Sequence, residues 1–189
     1  MLCVAIDVGI LNLAVCVTED VGGVPVVRAC EKFAIGRGQK EPINKVLDLL
    51  VALMEARQDA FRPANLTQVV IEQQCARLAV KNFAIASALY ALYVKAGVPV
   101  RFVSPREKFK VLAAVAAADP SLAHLDFSRT KGRKSIKQFG IDLAQALARK
   151  WECEVLLQAL ASNAKLDDIC DAATMAFTEC VKCGGVAGK

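Results

Sequence analysis

Four acidic side chains stand where simple folding would not place them. Asp7 interrupts the apolar run Val4-Ala5-Ile6, and Glu72 ends the β-branched run Val69-Val70-Ile71. Asp168 and Asp171 are three residues apart, next to Ile169, Ala172 and Ala173, so a helix puts them on one face. Burying a carboxylate is costly unless it is paired or binds a metal. Taken singly, some of these acids have ordinary explanations. A strand-end glutamate can simply be solvated, and Asp167 and Asp168 in a first helical turn gain a few tenths of a kcal/mol from the helix dipole. Those explanations leave out Asp7 and Asp171. Like charges drawn together in an apolar setting have raised pKa values unless cations hold them. An all-oxygen cluster in a net-basic chain therefore points to a divalent cation, Mg²⁺ with Mn²⁺ as substitute. Two such ions roughly 4 Å apart are the usual apparatus of phosphodiester displacement, activating a water and steadying the leaving oxygen. Asp7 would be the ligand shared between them.

The elements that must position these acids can be read from pattern. Residues 2–8 and 12–19 are apolar strands around the turn at Gly9, where glycine allows a positive φ or a close backbone approach. Gly22-Gly23 turns into a third strand, Pro25 to Phe33, completing an antiparallel meander. A helix follows from Pro42 to about Arg57, with a loop over 61–66, a strand from Thr67 ending in Glu72-Gln73-Gln74, and a helix from Val80 to Lys95 closed by Gly97. Strand, helix and strand (Val98–Val103) imply a crossover and parallel pairing. Ser104-Pro105 opens a helix that ends before Asp119-Pro120, and residues 119–132 read as an exposed loop. Helices over 135–149 and 166–180 follow, with a further helical segment at 151–160. The coarse order is βββ-α-β-α-β-α-α-α, one domain over residues 1–183 with a flexible tail at 184–189.

Composition narrows the class. The 189 residues carry a formal net charge of +5 and a pI near 8.8, a mild lean towards a polyanion. The dense basic run Arg129 to Lys137 is a solvated loop and helix face unless a nucleic-acid site is argued independently. No charge-free apolar run reaches the ~20 residues of a membrane span. The N-terminus lacks the basic region of a signal peptide, which predicts a cytosolic or nuclear protein. Of eight cysteines most sit in apolar patterns as small hydrophobes, and no disulfide framework is expected. Cys180 and Cys183 have CxxC spacing, but no second pair accompanies them and His124 is the single histidine, which disfavours zinc.

Three stretches in this order are together distinctive: Asp7-Val8-Gly9 with Asn12-Leu13-Ala14; Val70-Ile71-Glu72-Gln73-Gln74; and Lys165-Leu166-Asp167-Asp168-Ile169-Cys170-Asp171-Ala172. The set resembles the RuvC-like Holliday junction resolvases, and among them most of all the poxvirus resolvases, relatives of the fungal mitochondrial enzymes. The resemblance implies an α/β, RNase H-like fold: a five-stranded mixed sheet of order 3-2-1-4-5 flanked by helices. It implies a Mg²⁺-dependent endonuclease that cuts four-way DNA junctions by paired symmetric nicks, a homodimer matching the junction's two-fold symmetry, and a viral setting with work in the host cytoplasm. Asp7, Glu72, Asp168 and Asp171 fall on the family's metal-binding acids, with Asp167 an extra acid. The family's lysines after the fifth strand are matched by Lys108 and Lys134. Lys110, Lys131 and Lys137 are nearly as well placed and, with Arg129, Arg133 and Lys134, form the expected DNA-binding set. Recognition would be of branched shape. Phe127 could wedge into a junction, although a minor core contact is its simpler role. Phe83, Tyr90 and Tyr93 suit core or dimer interface.

Three other readings compete. The actin-like ATPases also open on an Asp-x-Gly hairpin, but they need two domains around a nucleotide, and no second glycine-rich phosphate loop is present; no nucleotide cofactor is expected. A nuclease of this fold could act on other branched DNA or on RNA. A non-cleaving binder of branched DNA would have little reason to keep buried acids.

Overall fold

A computed structural model describes residues 1–127, 133–163 and 165–184. Strands β1 (Leu2–Asp7), β2 (Leu13–Val21) and β3 (Val24–Phe33) form the meander. Helices α1 (Ile43–Ala56) and α2 (Gln58–Phe61) lead to β4 (Gln68–Glu72). Helix α3 (Val80–Lys95) crosses to β5 (Val100–Val103). Helices α4 (Pro105–Ala117), α5 (Arg133–Lys150), α6 (Glu154–Ser162) and α7 (Asp167–Gly184) complete the fold. The sheet has the order β3-β2-β1-β4-β5, with β4 parallel to both β1 and β5.

The pattern predicts most of these elements, and the differences are local. The chain makes one further helical turn, α2, between the first helix and the loop expected over 61–66, because Ala60 and Phe61 are drawn into the core; of that loop only Phe61 is helical. Pro42 sits at the N-cap of α1, one residue outside the helix. Residues 154–162 form a helix of their own after Glu152, which adopts a positive φ of 51°. Helix α3 ends as predicted: Gly97 has φ 72°, and Gly97 and Val98 donate to the carbonyls of Val94 and Tyr93, two bonds that close the last turn. Residues 128–132, 164 and 185–189, which include Arg129, Lys131 and most of the expected tail, lie outside the described residues, and Gly184, expected to begin that tail, is the last residue of α7. No helix among those described is long and apolar enough to cross a membrane.

Strand alternation sorts the core into two layers. Val4, Ile6, Leu13, Val15, Val69 and Ile71 face α1 and α3. Cys3, Ala5, Ala14, Cys16 and Val70 face α7. The second set is small, and α7 answers with Ala172, Ala173 and Ala176, so helix and sheet approach closely. Buried cysteine acts here as a small apolar residue, and all eight cysteines are free. Cys180 is buried and Cys183 exposed, so the CxxC pair does not converge.

The same alternation aims the acids. Asp7 has the parity of Cys3 and Ala5, and Glu72 that of Val70, so both point to the α7 side. Ile6 pairs with Ile71, which makes Asp7 and Glu72 the next neighbours at the ends of parallel strands. The turn after Asp7 depends on Gly9 through close packing rather than a positive φ: a Cβ there would meet the Asn12 carbonyl oxygen at 2.9 Å. Gly9→Ala is therefore expected to cost about 1–3 kcal/mol by overpacking. Urea unfolding measures it, and a loss under ~0.5 kcal/mol, the range of neutral surface changes, would contradict the tight-turn account.

Candidate active site

The carboxylates gather at the C-terminal ends of β1 and β4, against the first turns of α7. Asp7 is buried. Burial, then the charges of Glu72 and Asp171, push its pKa well above the usual 3.8, with Lys108 opposing them. These effects fall on one group only because the three acids are close together. Between them lies the Lys108 ammonium, hydrogen-bonded to Asp171 Oδ1 and 3.7 Å from Glu72 Oε1. Lys108 is only 1% exposed. Burial alone would strip its proton, but Asp171, Glu72 and Asp7 outweigh that and raise its pKa.

Asp168 and Asp171, although one turn apart, are parted by their partners. Asp171 turns to Lys108, whereas Asp168 Oδ2 takes Lys165 Nζ at 2.6 Å. Lys165 also lies 3.7 Å from Asp167 Oδ1. In the amide orientation that satisfies both ends, Asn12 donates to the Leu11 carbonyl at 3.1 Å and its oxygen accepts from Lys165 Nζ at 3.1 Å. Burial works against ionisation of Asp167, but hydrogen bonding to Lys137 and the charge of Lys165 hold its carboxyl below the usual range. Asp167 is thus the counter-charge of two lysines.

The expected lysines divide accordingly. Lys108 enters the site, Lys137 is half-exposed and paired with Asp167, and Lys110 is exposed on α4. Arg133 and Lys134 open α5, and their side chains lie outside the described ones, as do Arg129 and Lys131. Phe127 packs edge-on to Phe139 at 4.8 Å between ring centroids, the core contact that was its simpler role. Tyr93 is buried, while Phe83 and Tyr90 are exposed. Sequence reasoning missed Lys165, although it begins the third motif. The available signal was its position, three residues before Asp168.

A second ionic cluster holds the site's framework. Glu179 of α7 is 3% exposed and accepts from Gln68 Nε2 at 2.8 Å and Arg101 Nε at 3.0 Å. Arg101 NH1 also reaches Glu107 at 3.1 Å, and Lys182 joins both glutamates. One buried carboxylate so ties together β4, β5, α4 and α7, the elements that carry Glu72, Lys108 and Asp171.

Among the described residues no three Asp, Glu, His or Cys side chains are set as a ready-made metal cage. The donor chemistry nevertheless fits a hard divalent cation: Asp7, Glu72 and Asp171 offer only oxygen, repel one another, and are now held by ammonium groups.

The sheet order, crossovers and capping helices define an RNase H-like fold of the RuvC type. Among solved structures, the chain is similar to Thermus thermophilus RuvC in complex with a Holliday junction substrate, with TM-score 0.62 and 18% identity over 100% of this chain and 99% of that one. It is similar to the yeast mitochondrial Holliday junction resolvase Ydc2, with TM-score 0.64 and 16% identity over 95% and 81%. It is also similar to the fowlpox virus Holliday junction resolvase, with TM-score 0.60 and 16% identity over 95% and 96%. No family model matches the sequence, and no curated protein matches it at a significant level.

The raised Asp7 pKa makes a prediction about stability. The unfolded chain ionises Asp7 from about pH 3.8 upward while the folded chain keeps the proton, so this group's contribution falls as pH rises through the folded pKa. Asp7→Asn is therefore expected to stabilise the metal-free protein by about 1–2 kcal/mol at pH 8. The gain should vanish below about pH 3.8, where Asp7 is protonated in both states. Denaturant unfolding of both proteins at pH 3 and pH 8 checks this. A destabilised or pH-independent variant would contradict it.

Proposed function

We propose that this protein is a structure-selective endonuclease that cuts four-way DNA junctions in a divalent-metal-dependent reaction. The observation that carries the reading is the meeting of Asp7, Glu72 and Asp171 around buried Lys108. It is supported by a fold shared with two proteins named as Holliday junction resolvases and with RuvC bound to a Holliday junction substrate. Asp7, Glu72, Asp171 and Asp168 would hold Mg²⁺, or Mn²⁺ in its place, with Asp7 central because its charge bears on both Lys108 and Lys165. When bound, the metal supplies a water acidic enough to attack and charge for the leaving oxygen. The chain's own part is to fix the carboxylates on the rigid ends of β1, β4 and α7 and to keep Lys108 charged beside them. Exposed Lys110 and the basic start of α5 would meet flanking phosphates.

Paired nicks need two sites, and α3 offers a surface for a second copy of the chain. Val80, Phe83, Ser87, Tyr90 and Val94 alternate at three- and four-residue spacing, the seam of a helix pair. The four apolar members are exposed, and Tyr90 stacks on exposed Phe102 at 5.3 Å. Exposed apolar stripes of this kind mark interaction sites. The double change Val80→Glu with Val94→Glu is expected to convert a dimer to monomers in sedimentation at micromolar protein. A wild type that sediments as a monomer would remove the dimer from the account.

The direct test incubates the protein with a labelled four-way junction, a linear duplex and an RNA–DNA hybrid, with and without Mg²⁺. Paired nicks confined to the junction, lost without Mg²⁺ and reduced on the order of 10⁴-fold in Asp7→Asn, are expected. Equal cutting of all substrates would contradict junction selectivity, and no metal-dependent cleavage of any would contradict the nuclease.

A further inference from the structure

We propose that Lys165 is a substrate-contacting residue, its ammonium binding a phosphate of the strand to be cut in the cleft between Asp168 and the β1–β2 turn. This rests on the nuclease reading and assigns a role within that site. Two lysines pair with the acids of the site, Lys108 with Asp171 and Glu72 and Lys165 with Asp168, and their exposure separates them. Lys108 is sealed under α4, its ammonium also 5.5 Å from the Phe109 ring centroid, and it cannot reach DNA without unpacking the helix. The Lys165 side chain is 48% exposed.

Lys165 is nonetheless held at both ends. Its backbone carbonyl accepts from Lys32 Nζ of β3 at 3.1 Å, and its own Nζ is taken by the Asn12 oxygen at 3.1 Å. Its place therefore does not depend on Asp168 alone. An ordinary surface lysine loses much rotamer entropy on gripping a ligand; one already fixed loses less.

The ammonium also faces an open space of the right size. Lys165, Asp168, Asn12, Gly38, Gln39 and Asn82 line a cleft of about 250 Å³. That is below the roughly 300–1,000 Å³ of clefts for drug-sized molecules, and suits a single phosphodiester unit. One wall is fixed by Lys81, which donates to the carbonyls of Gln39 and Glu41. Asn82 is fixed by donating to the Val8 carbonyl at 3.0 Å. Asp167 is hydrogen-bonded to Lys137 and lies 3.7 Å from Lys165 Nζ, so the direct carboxylate partner of Lys165 is Asp168.

The test compares wild type, Lys165→Met, Lys165→Gln and Lys165→Arg. Metal-free binding to a four-way junction is measured across a salt series, and single-turnover cleavage is measured in Mg²⁺, with thermal unfolding to show which variants fold. The neutral variants are expected to lower the slope of log affinity against log salt by about 0.9, the loss of one phosphate contact. They should slow cleavage on the order of 10²-fold, as when one transition-state donor is removed. Lys165→Arg should keep the wild-type slope. An unchanged slope in a folded neutral variant overturns the proposal even if cleavage falls, because Lys165 would then act only by positioning Asp168. If wild type prefers another nucleic acid, junction selectivity fails and the same slopes on that substrate still decide Lys165. If wild type binds no nucleic acid, both readings fall.

Discussion

Buried Asp7 and partly buried Glu72 and Asp171 are brought within reach of one another, and positive charge is needed among them. In the metal-free chain that charge is the Lys108 ammonium, itself buried and kept protonated by the acids around it. Neither partner would tolerate this burial alone, since an unpaired buried charge costs several kcal/mol. The arrangement therefore rests on two devices together: the proton that Asp7 keeps and the ammonium that Lys108 keeps.

The rest of the fold serves that constraint. Parallel pairing of β1 with β4 sets Asp7 beside Glu72, and the small residues between sheet and α7 bring the helix close enough to add Asp171. The Glu179 cluster fixes α7 to β4, β5 and the start of α4 without drawing on the acids of the site. Ionic ties of this sort give no reliable net stability. Their consequence here is geometric, because they join the elements from which the site's side chains project.

The sheet was legible in the sequence because its strands are short, strongly apolar and separated by glycine turns, and because α3 ends on a glycine that its left-handed turn requires. The acids were legible because Asp7 and Asp171 contradict their apolar neighbours. What could not be read was pairing at a distance. Spacing put Asp168 and Asp171 on one face, but their separation towards Lys165 and Lys108 depends on where α4 and the β1–β2 turn lie in space. For the same reason the basic run gave no order among its lysines, and Lys137 emerged as the partner of Asp167. The seam on α3 was hidden because Phe83, Tyr90 and Tyr93 look alike by spacing, yet only Tyr93 faces the core.

The central claim is that these carboxylates form one cation site. Calorimetric titration of DNA-free protein with Mn²⁺ tests it most directly, because it bypasses substrate choice and catalysis. The account predicts binding accompanied by proton release, since a metal must displace the proton held by Asp7. It also predicts affinity weakened roughly 10-fold or more in both Asp7→Asn and Asp171→Asn, the lower end of what loss of a supporting metal-site group costs. Equal affinity in wild type and both variants would contradict it.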